Sequence, residues 1–324
     1  MTGADKMSLQ MRYIAKRLIY AVLTVWVLIS ITFLLMQMLP GDPFSGLKVI
    51  NSEIKASLAT KYGLDKPVLE QYRIYVNNLI HGDFGSSIVS GRQVTDIIAQ
   101  AFPVSLELGI RALIFAIILG FLSGITAALK HRTKWDTLMM ILVLLGVSVP
   151  SFIIGALLQY FFGIVLFQFT GIHFFAIIGW GSENSKILPA FALAFGSMAS
   201  IGRLMRSSML DVLGQDYIRT AKVKGIKKKD IILHHCLRNA LMPVITVLGP
   251  MTAVLLTGTF AVEYVFSIPG LGKYFVDSVQ ANDYPVIIGT TLFFGMFLVL
   301  CNLIVDILNS CIDPRVRLGG EENR

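Results

Sequence analysis

The sequence predicts an all-α polytopic membrane protein with six transmembrane helices and both termini cytoplasmic. Three observations predict it. Of 324 residues, 55% are apolar and only 15% are charged, where globular chains average about 25% charged. The apolar residues gather into runs near the ~20 residues that a spanning helix needs. The basic residues cluster between alternate runs, as the positive-inside rule requires.

Met1–Arg17 carries Lys6, Arg12, Lys16 and Arg17, and Leu18–Leu39 is a 22-residue apolar run without a charge. A basic flank also suits a signal peptide. However, the run exceeds a typical h-region of about 7–15 residues and ends in Leu39-Pro40-Gly41-Asp42-Pro43, not at a small-residue cleavage site. A retained first span is expected. Pro40–Phe102 is polar, with balanced charge. Helices are expected at Ser52–Tyr62, which stops at Gly63, and at Lys66–Ile80, where Val68, Leu69, Tyr72, Tyr75, Val76 and Leu79 recur with a helical period. Gly82-Asp83-Phe84-Gly85 reads as a loop. Residues 1–102 are then the first span plus a small helical extracytoplasmic segment, and 103–324 a five-helix core with a short cytoplasmic tail.

Pro103–Leu129 is the second span, with proline in its first turn. Glu107 and Arg111 lie four apart inside it, in the favoured order. They read as a self-satisfied ion pair near the outer interface, the other reading being a polar element of a pathway. Gly120 and Gly124 offer a close helix contact. Thr137–Phe169 is too long for one straight span and is expected to kink at Pro150. Leu188–Gly202, the fourth span, is rich in small residues, which favours burial among helices. Its Ser197 and Ser200 are candidates for the wall of a pathway. Arg203 and Arg206 mark its cytoplasmic edge.

Leu241–Val262 is the fifth span, Glu263–Tyr284 a loop and Pro285–Cys311 the sixth span. Asn302, Asp306, Asn309 and Asp313 fall on one helical face as a polar stripe. A carboxylate in a membrane needs a partner, and Arg203 or Arg206 are the candidates for Asp306. With the N-terminus inside, the inner segments hold 19 of the 28 Lys and Arg residues. The net charge of +8 therefore reflects topology and membrane lipid contact, with no nucleic-acid partner.

No catalytic or cofactor motif is found. Gly270-Leu271-Gly272-Lys273 imitates a phosphate-binding loop, but Ser267 replaces its first glycine and Tyr274 follows the lysine. No H-E-x-x-H or G-x-S-x-G is present. The three cysteines (Cys236, Cys301, Cys311) form no CxxC. Among the five histidines only His234 and His235 adjoin, and neighbours on a helix do not share a face. No metal site is expected.

Asp216–Asp230 (DYIRTAKVKGIKKKD), in the cytoplasmic loop 203–240, is basic and helix-forming. Tyr217, Ile218, Ala221 and Gly225 are read as one face, with Arg219, Lys222 and Lys224 on others. A loop held to anionic lipid accounts for the lysines. A helix inserted into a partner's groove accounts also for the shared face and for the stop at Gly225.

This stretch resembles the coupling loop of permease subunits of ATP-binding cassette importers. Their pattern is E-A-A, three residues, then Gly, closing in Pro. Ala221 and Gly225 match it, and Pro243 closes it late. The departures are similar to the peptide and nickel branch, as are Leu39–Pro43, Gly63-Leu64-Asp65-Lys66-Pro67, His81–Gly85, Ile268–Gly272, Asp283-Tyr284-Pro285-Val286 and Asp313-Pro314-Arg315. The nearest likeness is to the B-type permeases of oligopeptide importers. The resemblance implies a type I importer permease fold and peptide import. It assigns ATPase coupling to Asp216, Tyr217, Ala221, Lys222 and Gly225, with Pro243 at the loop's re-entry. It implies a second homologous permease, two cytoplasmic ATPases that hydrolyse ATP, and an extracytoplasmic substrate-binding protein. Nickel, metal-chelate, dipeptide or glutathione import is the alternative within the class. A stand-alone channel or receptor is the alternative outside it.

Overall fold

The structure, a computed structural model, describes residues 3–38 and 66–312. Among these residues it is helical, with one isolated bridge between Ser86 and Gln93. Six helical stretches are long and apolar enough to cross a membrane: Ile14–Leu35, Val94–Leu129, Ser151–Thr170, Glu183–Leu213, Lys228–Val265 and Tyr284–Ile307. The expected helix Ser52–Tyr62 and the motif at Asp313 lie outside the described residues. Packing divides the chain into two units, Met1–Ser105 with Pro269–Arg324, and Leu106–Ile268.

In the first unit, α1 (Gly3–Met38) lies along α11 (Tyr284–Ile312). Leu28 occupies the space that the missing side chain of Gly295 leaves open. The helix α2 (Val68–Ile80) seats on α1 through Tyr72 and Tyr75 of its expected apolar face, while Val68 and Leu69 of that face are exposed. Tyr72 and Ser30 share a hydrogen bond of 2.7 Å, and Phe33, 3% exposed, packs edge-on to the Tyr72 ring at 5.3 Å. The loop after α2 is pinned by Asp283, which accepts from Ser87 Oγ at 2.5 Å and from the Ile88 amide at 3.0 Å. Phe102 meets Phe293 and Phe297 at 4.8 and 4.9 Å.

The helix α3 (Val94–Leu129) begins nine residues earlier than the proline rule suggested. Pro103 is therefore interior and not in the first turn. It is exposed, and the buried Ile97, Ile98 and Ala101 hold the turn ahead of it although proline removes one ladder bond. The segment Glu263–Tyr284, read as a loop, is largely helical, which corrects that expectation. It takes in the end of α9 (Phe260–Val265) and all of α10 (Leu271–Ala281), the latter capped by Gly270 and by Asn282 in the left-handed region. Leu271 and Ser278 are buried on one face of α10. The density of Gly and Pro around Ile268 masked that period.

In the second unit, α4 (Lys134–Ser148) and α5 (Ser151–Tyr160) are separated at Val149-Pro150, where the kink was expected. The chain continues through a π-helical turn, Phe161–Val165, to Leu166–Thr170. The long helix α6 (Glu183–Leu213) starts from a capping box between Ser182 and Ser185, which satisfies amides at its free end. It is the core of this unit. α4, α5 and α8 (Leu237–Thr257) all pack on it, and Ala190, Ala192 and Ala194 have no exposed surface. Small residues let backbones approach closely, and α3 approaches α6 through Gly120 and Gly124. A Cβ on Gly124 would stand 2.5 Å from the Gly202 carbonyl oxygen and 2.7 Å from Met205 Cβ.

Pro243 lies inside α8, as its seventh residue. The helix is already formed before it, and Pro243 itself is exposed.

Candidate functional site

Seen from the sequence upward, the candidate site is the short helix α7 (Asp216–Val223). It follows α6 after only Gly214 and Gln215. Asp216 sits in its first turn and Lys222 in its last, each favoured by the helix dipole. Ile218 is fully buried and Ala221 is 6% exposed. These two seat the helix on a π-helical turn, Ile231–Cys236, that runs into α8. Ile231 and Cys236 are themselves buried there. Asn239 in the first turn of α8 donates its side-chain amide to the Tyr217 hydroxyl at 2.8 Å.

The end of α7 is a Schellman motif. The Ile226 amide bonds the Ala221 carbonyl at 3.2 Å, and the Gly225 amide bonds the Lys222 carbonyl at 3.0 Å. Gly225 has φ of +75°, a conformation that costs a Cβ-bearing residue energy. Nothing lies within 4 Å of where its Cβ would be, so the requirement there is conformational and not steric.

The sequence grouped Tyr217, Ile218, Ala221 and Gly225 as a face offered to a partner. The structure corrects this. Ile218 and Ala221 face the chain's own body. Tyr217 lies at the boundary, 43% exposed, and Gly225 is outside on the turn. The surface open to a partner is Val223, 87% exposed, with Tyr217, Arg219, Lys222 and Lys224 around it. Asp216 and Arg219 pair at 3.3 Å on that exposed side. It is a basic rim around an apolar tip.

Close to this end of α6 is a cluster that sequence reasoning missed. Arg206 forks onto Asp136, with Nε to Oδ1 at 2.6 Å and Nη2 to Oδ2 at 2.8 Å. The Arg132 amide and His131 Nδ1 each lie 3.0 Å from Oδ2. Arg206 holds the Asp136 carboxyl far below the usual carboxylate range. Burial opposes this shift, and the Arg132 amide and His131 assist it. The only sequence signal was an acid, Asp136, closing the basic run from Lys130 to Lys134.

Arg206 is thus engaged, and Asp306 pairs instead with Arg17 at 2.8 Å. The expected Asp306 partnership with Arg203 or Arg206 is corrected accordingly. Within the expected polar stripe Asn302 is exposed and Asp306 half-buried. The Asn309 side chain and Asp313 are outside the described residues.

Glu107 and Arg111 do pair, at 2.7 Å, but within a larger network. Arg111 also reaches Glu183 at 2.8 Å, while Lys186 bridges Glu107 at 2.9 Å and Glu183 at 3.0 Å. The four alternating charges staple α3 to the start of α6. Lys186 further lies 5.3 Å over the Trp180 ring.

Ser200 bonds its own helix at the Gly196 carbonyl, 3.0 Å away. Ser197 lines a cavity of about 280 Å³, with Ser151, Gly146, Phe195 and Val254 among its walls. Among the described residues no cluster of three or more His, Cys, Asp or Glu side chains is arranged for a metal ion.

Comparison with known proteins places these features in context. Residues 96–318 match the family described as binding-protein-dependent transport system inner membrane component, and residues 10–109 match the N-terminal family of the same transport-system components. The chain is 44% identical over 308 residues to the dipeptide transport system permease protein DppB of Bacillus subtilis, covering 95% of this chain and 98% of that one. It is 43% identical to DppB of Lactococcus lactis, over 95% and 99% of the two chains. It is 39% identical over 310 residues to the oligopeptide transport system permease protein OppB of Escherichia coli K12, again over 95% and 99%.

Proposed function

This chain belongs to the family of binding-protein-dependent transport system inner membrane components, with the type I ABC importer permease fold and a multi-pass place in the cell membrane, and we propose that it is one permease subunit of an ATP-driven peptide importer. The observation that carries the peptide reading is the full-length similarity to both dipeptide and oligopeptide permeases. In this reading the chain forms half of a translocation pathway, and a second homologous permease forms the other half. Two cytoplasmic ATPases hydrolyse ATP, and an extracytoplasmic binding protein delivers the peptide. Both termini are cytoplasmic, following the distribution of Lys and Arg.

The helix α7 is the ATPase contact. Tyr217, Lys222 and Val223 meet the ATPase, while Ile218, Ala221 and the Gly225 cap keep the helix seated on its own chain. A short helix held by buried contacts, and joined to α6 by two residues, passes a push on to the spans. Such a push biases which side of the pathway is open. Ser197, at its cavity between α4, α6 and α8, is the candidate pathway residue.

ATP-dependent uptake of a labelled peptide by proteoliposomes holding the complete complex tests the proposal. Unlabelled peptides are expected to compete, and nickel or glutathione to leave uptake unchanged. Competition by nickel or glutathione alone would move the substrate to the other members of the class.

A further inference from the structure

We propose that the Asp136–Arg206 pair fastens α4 to α6 so that α3, α4 and α6 move as one when α7 is displaced, which makes both residues positioning residues for transport. The inference rests on the reading of α7 as the ATPase contact.

Three observations carry it. First, the pair is built for rigidity. The Asp136 side chain is 7% exposed and takes both arms of the guanidinium. It also holds the Arg132 amide, in a turn where Arg132 has φ of +63°, a left-handed conformation uncommon for a residue with a side chain. The pair therefore fixes the α3–α4 turn as well as the start of α4.

Second, two helices meet α6 at the same residue. A Cβ on Gly124 of α3 would stand 3.1 Å from the Arg206 amide nitrogen, so α3 touches α6 by close packing where α4 touches it by charge. Third, Arg206 is one short stretch of helix from Leu213, and only Gly214 and Gln215 separate that from α7.

Packed surfaces resist separation through many small dispersion contacts, each of which weakens as a gap opens. A forked, charge-assisted pair adds a directional tie at one place. Close packing lets α6 push and pull its neighbours, and the pair fixes the register in which α4 follows, as both strokes of a transport cycle require.

The test measures peptide moved per ATP hydrolysed by the complete reconstituted complex. Asp136→Asn keeps the shape and removes the charge, while Asp136→Glu keeps the charge. With Asp136→Asn, ATP hydrolysis is expected to continue at the wild-type rate or faster, while the ratio falls about threefold or more. Asp136→Glu is expected to recover much of it, and Arg206→Lys, which keeps the charge without the fork, to be intermediate.

An unchanged ratio in Asp136→Asn overturns the inference and leaves the ATPase-contact reading standing. So does a proportional loss of hydrolysis and transport. If both Asp136→Asn and Arg206→Lys fail to assemble, the pair serves folding alone and the inference is equally overturned. Failure of the wild-type chain to bind ATPases would instead remove the reading on which it rests.

Discussion

Asn239 donates to the Tyr217 hydroxyl at 2.8 Å, joining α7 to the first turn of α8. The tyrosine that borders the exposed surface of α7 is therefore oriented from a separate segment of chain. A hydrogen bond of this kind contributes about 0.5–1.5 kcal/mol net, with exposed pairs at the lower end. Tyr217→Phe and Asn239→Ala should each assemble and each lower ATP-driven uptake by a similar, modest factor. The double variant should be no worse than either, because one interaction is lost once. Additive losses in this double-mutant cycle would deny the bond its role.

Ala221 and Val223 are two residues apart and face opposite ways. Ala221→Arg forces a long charged side chain into the seat of α7, an insertion expected to cost about 1–3 kcal/mol or more. It should expose Asp216–Asp230 to trypsin. Val223→Asp should leave trypsin resistance unchanged and lower recovery of the ATPases on a tagged permease. If Val223→Asp retains full ATPase recovery and Ala221→Arg retains trypsin resistance, the two faces have been assigned the wrong way round.

The α3–α6 crossing predicts a glycine-specific loss of stability. At Gly124 the atoms in the way are the Gly202 carbonyl and Met205 Cβ, neither of which can swing aside. Gly124→Ala should lower the melting temperature of the purified protein, by an overpacking cost of about 1–3 kcal/mol. Gly214→Ala is the control. Its nearest atoms stand at 3.5 and 3.7 Å and its φ is −79°, so no loss is expected. Equal melting temperatures for the two variants would remove the close crossing.

Asp136 gives a pH dependence of definite sign. Its carboxyl is held far below the usual range, first by Arg206. A carboxylate depressed in this way stabilises the fold fully above its unfolded pKa of about 4, and the contribution is lost progressively as pH falls from there through the folded value. The melting-temperature gap between wild type and Asp136→Asn should thus stay constant from about pH 5 to 8 and narrow below about pH 4. A gap that closes between neutral pH and about pH 6 would contradict the assignment to Asp136.

The spans were legible because hydropathy is a local, summed signal. Pro285–Cys311 was read within one residue at each end of the observed Tyr284–Ile312. The kink at Pro150 and the burial of the small residues of α6 follow from equally local rules. What failed did so for physical reasons. Pro103 suits a first turn, yet the burial of Ile97 and Ile98 carries the helix through it. Arg203 and Arg206 were plausible partners for Asp306, but pairing across hundreds of residues depends on packing, and Arg17 was the one brought near. At α7 the periodicity identified Ile218 and Ala221 as sharing a face. It had no means of telling whether that face met the chain's own π-helical turn or another protein. Asp136 carried only the weak signal of an acid closing a basic run, and the contact of Asn239 with Tyr217 carried none, since Arg206 and Tyr217 are brought to them by packing.

The most direct measurement is purification of the tagged chain from its native membrane, followed by transport assay of what comes with it. The account predicts that a second permease and the ATPases are recovered together with it, and that peptide enters reconstituted vesicles only when ATP and the binding protein are present. A chain that comes out alone and conducts without ATPase subunits would contradict it.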